Sequence, residues 1–212
     1  MNKTEKLQEL KKKMEADDSL PLKKGATRLV FGVGNPETEI LFIGEGPGYW
    51  EDVKGEPFVG NAGKLLDQVL RVISLARESV YITNVVHHRP PENRDPEPSE
   101  IAAYGKYLDE IIKIIDPKII VTLGRFSMGK FLPGTYISSI HGNTHKVNWN
   151  GKEITVVPMY HPAAALRNGN VMFLFKEDFK KLSEILKQAQ EEKKNKTSEK
   201  DSGKTPEQMS LV

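Results

Sequence analysis

The residues with the most chemical capacity in this 212-residue chain fall in three short stretches, each placed after an apolar run. The first is Gly44-Glu45-Gly46-Pro47-Gly48, which continues through Glu51 and Asp52 to Pro57-Phe58-Val59-Gly60 and Ala62-Gly63. Its glycines free backbone amides for close approach to a ligand, and its carboxylates can orient water or stabilise a cation. The second reaches Asn84, whose amide both donates and accepts, then runs through Arg89-Pro90-Pro91 to Asn93-Arg94. The third starts at His161, a donor type suited to developing negative charge, and runs through Leu166 and Arg167. Taken singly, Phe58 fits core packing, Asn84 a strand-end turn and His161 a capping residue. Neither G-x-G-x-x-G nor a P-loop G-K-[ST] follows the first strand, so phosphate-cradling readings of its glycines fail.

Their spacing is set by alternating elements. Apolar runs predict strands at about 39–44, 80–84, 118–124 and 154–158, and helical spacing predicts helices at about 62–75, 99–115, 125–131 and 171–187. Residues 4–16 read as an amphipathic helix, Arg28-Leu29-Val30-Phe31 as an edge strand, and Asn148-Trp149-Asn150-Gly151 as a hairpin turn. The expected fold class is α/β: a three-layer α/β/α sandwich around a central, mostly parallel sheet of about four strands. In such sheets ligands bind beyond the carboxyl ends of the strands, where all three stretches fall.

Composition sets outer bounds. A net charge of +2 excludes a general polyanion binder, so any nucleic-acid contact must gather its cations locally. Zero cysteines exclude disulfides, thiol catalysis and a cysteine-ligated cluster. The charged N-terminus and the lack of a long apolar run predict no signal peptide, no membrane contact and a cytoplasmic location. His141 and His145 read as exposed histidines, and no metal site is expected.

The three stretches, in this order, resemble the motifs of family 4 uracil-DNA glycosylases, and the likeness covers roughly residues 17–187. It implies base-excision repair: an extruded uracil is held in a pocket and its bond to deoxyribose is hydrolysed, leaving an abasic site. The residues it assigns to uracil are Glu45, Gly46, Phe58, Asn84 and His161, with Phe58 stacking on the ring and Asn84 reading its O4/N3 edge. His161 would stabilise the departing anion at O2. Family 1 enzymes carry an aspartate where Gly46 stands and a thymine-excluding tyrosine where Gly48 stands. Water handling is therefore given to Glu51 as first choice, with Glu45 shaping the pocket and Asp52 structural. Arg89, Pro90, Arg94 and Arg167 are the expected DNA contacts, and Leu166 the wedge behind the flipped base. The partner is uracil-containing single- or double-stranded DNA, met by a monomer.

Typical family members hold an iron–sulfur cluster on four cysteines, whose positions here carry Asp17, Leu20, His88 and Tyr104. The resemblance therefore implies a form without cofactor, in which packing replaces the cluster. One alternative is a protein that traps uracil-DNA without turnover through a loop histidine, His87-His88 being the candidates; another is a nucleotide-binding protein without DNA activity. Domain limits are expected at 1–188 for the catalytic domain and 189–212 for a disordered polar tail. The tail ends in Gln208-Met209-Ser210-Leu211-Val212, which resembles the peptides that dock on sliding clamps, with Gln208, Leu211 and Val212 as anchors.

Overall fold

The computed structural model describes the backbone of residues 1–202 and the side chains of residues 1–189 and 191. Six strands form one sheet: β1 (Val33–Gly34), β2 (Ile40–Gly44), β3 (Tyr81–Asn84), β4 (Ile119–Leu123), β5 (His145–Trp149) and β6 (Lys152–Met159). Their spatial order is β1-β3-β2-β4-β6-β5. The four inner strands are parallel, as the apolar runs predict, and two short antiparallel strands close the edges. The helices are α1 (Lys3–Ala16), α2 (Tyr49–Lys54), α3 (Asn61–Val72), α4 (Pro98–Ile115), α5 (Arg125–Phe131), α6 (Ile137–Ile140), α7 (Pro162–Arg167) and α8 (Gly169–Ser202).

Side chains alternate across the pleat, so each strand feeds two cores. Leu41, Ile43, Ile120 and Val156 join Leu7 and Met14 of α1 and Leu108 and Ile111 of α4. Phe42, Val121, Val157 and Met159 instead meet Leu66 and Val69 of α3 and Phe175 and Phe179 of α8. Each such fully buried side chain contributes about 1.5–3 kcal/mol relative to exposure. The crossover from β2 to β3 uses α3, and the one from β3 to β4 uses α4, on the opposite face. The chain thus reverses direction at β2, opening a crevice beyond the carboxyl ends of β2 and β4.

Three expectations change. Val30 and Phe31 are buried, yet the edge strand is Val33–Gly34, because the chain turns at Gly32 (φ 151°), where a Cβ would sit 2.7 Å from the Tyr81 ring. Helices α2 and α7 occupy what read as loop. The last helix runs to Ser202, past the sequence-based limit at 188, in a stretch rich in Lys, Glu and Gln, which are good helix formers. The clamp-docking peptide, with Gln208, Leu211 and Val212, lies outside the described residues. Among them, no helix is long and apolar enough to cross a membrane.

Candidate active site

Gly44 pairs in register with Asn84 at the ends of β2 and β3, and Leu123 with Met159 at the ends of β4 and β6. The loops leaving all four strands therefore meet at one edge, around a cavity of about 660 Å³. Glu45, Gly46, Glu51, Phe58, Asn84, Pro90, Arg94, His161 and Arg167 all line it. Arg89 and Leu166 stand outside the lining, Leu166 being 48% exposed on α7.

Phe58 is the hinge of this arrangement. Its backbone is left-handed (φ 54°), a conformation that strains a side-chain-bearing residue. A Cβ on Gly44 would fall 2.5 Å from Phe58 Cζ and 2.4 Å from Asn84 Oδ1, so only glycine lets β2 end where these two groups converge. The same ring lies 5.7 Å, centroid to centroid, from the His161 imidazole. Phe58 is 6% exposed, so it is a core residue and a cavity wall together.

Asn84 is 1% exposed, and its Oδ1 has no hydrogen-bond partner among the described residues. A buried acceptor left alone costs about 1–3 kcal/mol, which a ligand N–H would recover. His161 is the N-cap of α7, where Pro162 occupies the first helical position, and its Nδ1 accepts from the Ala163 amide at 3.2 Å. That bond puts the proton of a neutral ring on Nε2. Burial, helped by the Arg167 charge, lowers the His161 pKa to about 4, so near pH 7 the ring is neutral and a fixed donor.

The carboxylates divide by their partners. Glu51 Oε1 accepts from the amides of Val59 (2.9 Å) and Gly60 (2.8 Å), clamping the turn after Phe58. Its Oε2 would lie 2.9 Å from a Cβ on Gly48, so the Glu51 carboxylate fills the space that a side chain there would enter. One oxygen of Glu51 is thus committed to the loop. Asp52 is buried and accepts from the amides of Thr27 (2.8 Å) and Arg28 (3.2 Å), the structural part expected of it. Glu45 has no such donors among the described residues. Burial raises its pKa to about 7, with Asp95 adding to the rise and Arg125 and Arg167 opposing it.

Sequence reasoning used three strand ends and missed the fourth. The loop after β4 supplies Gly124 and Arg125 to the cavity, and Arg125 is ion-paired with Asp95 of the proline-rich loop. An arginine directly after a strand end was the available signal. Arg94, expected to meet phosphate, also lines the cavity, and its guanidinium makes a bidentate pair with Glu100 (2.6 and 2.8 Å). His141 is not a free surface histidine, since its Nδ1 bonds the buried Asp178 at 2.7 Å.

His87 and His88 lie away from the cavity lining. His87 is fully buried against Thr83 Oγ1 (3.1 Å), and His88, 4% exposed, bonds the Tyr104 hydroxyl through Nδ1 at 2.8 Å. Neither is placed to attack an extruded nucleotide, which removes the motivation for a histidine trap. Asp17 bonds Lys106 and Tyr107, and Leu20 is 2% exposed in the core. The four residues at the cluster positions do not fit an iron–sulfur cluster. None offers a thiolate, and the polar atoms named are bonded within the protein.

The profile of the Uracil DNA glycosylase superfamily matches residues 31–187. The Type-4 uracil-DNA glycosylase of Sulfurisphaera tokodaii is 46% identical over 187 residues, 84% of this chain and 84% of its own. That of Archaeoglobus fulgidus is 47% identical, over 77% of this chain and 85% of its own. That of Thermotoga maritima is 43% identical, over 79% and 88%.

Proposed function

The chain belongs to the uracil DNA glycosylase superfamily, and we propose that it acts as a uracil-DNA glycosylase of type 4, in a form that holds no cluster. It hydrolyses the N-glycosidic bond of uracil in DNA and leaves an abasic site for repair. The observation that carries this is the unpartnered Asn84 Oδ1 beside Phe58, whose ring is 5.7 Å from a neutral, donor-oriented His161.

Uracil offers N3–H as donor and O4 as acceptor along one edge, which the Asn84 amide complements atom for atom. Phe58 covers the ring face. As the bond to C1′ lengthens, electrons move into the base and charge collects at O2, where the Nε2–H of His161 stabilises it without a proton transfer. A preorganised donor in a water-poor pocket is worth about 3–4 kcal/mol of barrier. The sugar meanwhile becomes cationic, and we assign its stabilisation and the positioning of the attacking water to Glu45. That carboxylate is unclamped and titrates near neutrality, whereas Glu51 is engaged by two amides. Arg89, Pro90, Arg167 and the Leu166 wedge act on the strand; Arg94 shapes the loop that carries Arg89 and Pro90.

Packing between His88, Tyr104, Leu20 and Asp17 stands in for the cluster on this reading. Purified protein should contain no stoichiometric iron, and chelators should leave its activity unchanged. A monomer in the cytoplasm, with clamp docking through residues 208–212, completes the proposal; deleting those residues should abolish clamp pull-down.

The deciding experiment follows base release from strands carrying uracil, hypoxanthine or xanthine, with His161→Ala as control. Uracil release over many turnovers, lost in the variant, is the expected result. A tight or covalent complex without product would overturn it.

A further inference from the structure

We propose that Tyr49 and Trp50 form a stacking platform for an unpaired nucleobase flanking the uracil, so that the protein favours single-stranded DNA. The inference rests on the glycosylase reading above and adds a second base-binding surface to it. Both rings open α2 between Gly48 and Glu51, which line the cavity, so the pair stands at its rim. They are 54% and 55% exposed, large apolar surface left in water on a polar protein. Their planes are nearly perpendicular, at 79°, with centroids 5.2 Å apart. Trp50 lies over Gly60, its Cδ1 3.6 Å from where a Cβ on Gly60 would be, so the ring has a backing but no cover.

The cation needed beside such a platform is present. The Arg89 guanidinium lies 5.3 Å from the centroid of the Tyr49 ring, and its Nε is held by Asn93 Oδ1 at 2.8 Å. Among the described residues Arg89 has no acidic partner, unlike Arg94, so its outer nitrogens can meet a phosphate. A strand whose uracil is inside the cavity must carry its next nucleotide across this rim. In a duplex that nucleotide stays stacked in the helix and paired. In a single strand its face is free, and base–aromatic stacking of this kind is tolerant of sequence.

The test uses the full chain with Trp50→Ala and Tyr49→Ala, their fold checked by circular dichroism and thermal melting. The ratio of kcat/KM on single-stranded to double-stranded uracil-DNA should fall about tenfold, mainly through KM on the single strand. A thymidine-only oligonucleotide should quench tryptophan fluorescence in the wild type and fail to do so in Trp50→Phe, because the second tryptophan, Trp149, packs on Phe131 and is partly buried. An equal fall on both substrates, or quenching that persists in Trp50→Phe, would overturn the platform. If the wild type releases no uracil from either substrate, it is the glycosylase reading that fails, and the oligonucleotide titration still judges the platform alone.

Discussion

His161 and His88 have nearly the same titration and opposite situations. Burial is the main cause that lowers each to about 4. His161 spends Nδ1 on its own helix and keeps Nε2–H at a cavity wall, whereas His88 spends Nδ1 on a buried tyrosine. The carboxylates repeat the contrast: among the described residues Glu45 has no donors to its side chain, whereas buried Asp52 takes two backbone amides on Oδ1. A perturbed pKa therefore reports desolvation. Unused hydrogen-bonding capacity that faces the cavity, as at Asn84 Oδ1, is what marks the reactive region; His87 Nδ1 is also unpartnered among the described residues, but His87 lies outside the cavity lining.

The comparison can be broken most sharply at His161. His161→Ala should lower the single-turnover rate of uracil release about a hundred- to a thousandfold, while product binding changes less. Retention of most activity would make the imidazole a mere cap. Next, Asn84→Ala removes the orphaned acceptor and its donor, and should reduce kcat/KM for uracil strands about ten- to a hundredfold. Discrimination against cytosine strands should erode with it.

Glu45 supplies a pH signature. It is protonated below about 7 and charged above, so a step that needs its charge should climb as pH rises through neutrality. His161 stays neutral down to about 4 and cannot produce that limb. Glu45→Gln should lower activity and flatten the profile; a limb that survives in this variant would return the water to Glu51.

The smallest effect belongs to the quiet region. Tyr104→Phe strands the His88 Nδ1 and should cost about 1–3 kcal/mol, a few degrees in melting temperature, with kcat preserved. A parallel loss of kcat would show that the two regions are coupled. Acid should weaken the fold for the same reason. Unfolded histidines take protons near 6.5, while His87 and His88 do so only near 3 and 4, so stability falls as pH drops from about 6.5 through those values.

Much of this was legible beforehand because it is local. Four apolar runs bounded by glycine, proline and polar residues gave the parallel core, and Asn84 at a strand end and Phe58 and His161 in the stretches after strand ends were marked by that position. The helices α2 and α7 were hidden by their shortness, about one and a half turns each, in segments whose glycines and prolines read as loop. The engagement of Arg94 was hidden too, since a surface arginine beside two glutamates is also what a solvated loop looks like.

The sequence by itself determined the order of the four core strands, the family and most of the side chains that line the cavity, since hydrophobic periodicity and motif spacing are written along the chain. The tertiary structure alone decided which of them remain available. Register brought Gly44 against Asn84, the Phe58 turn claimed one oxygen of Glu51, and burial moved Glu45 and His161 away from their solution titrations. Saturation and desolvation depend on neighbours distant in the chain, and no reading of local pattern contains them.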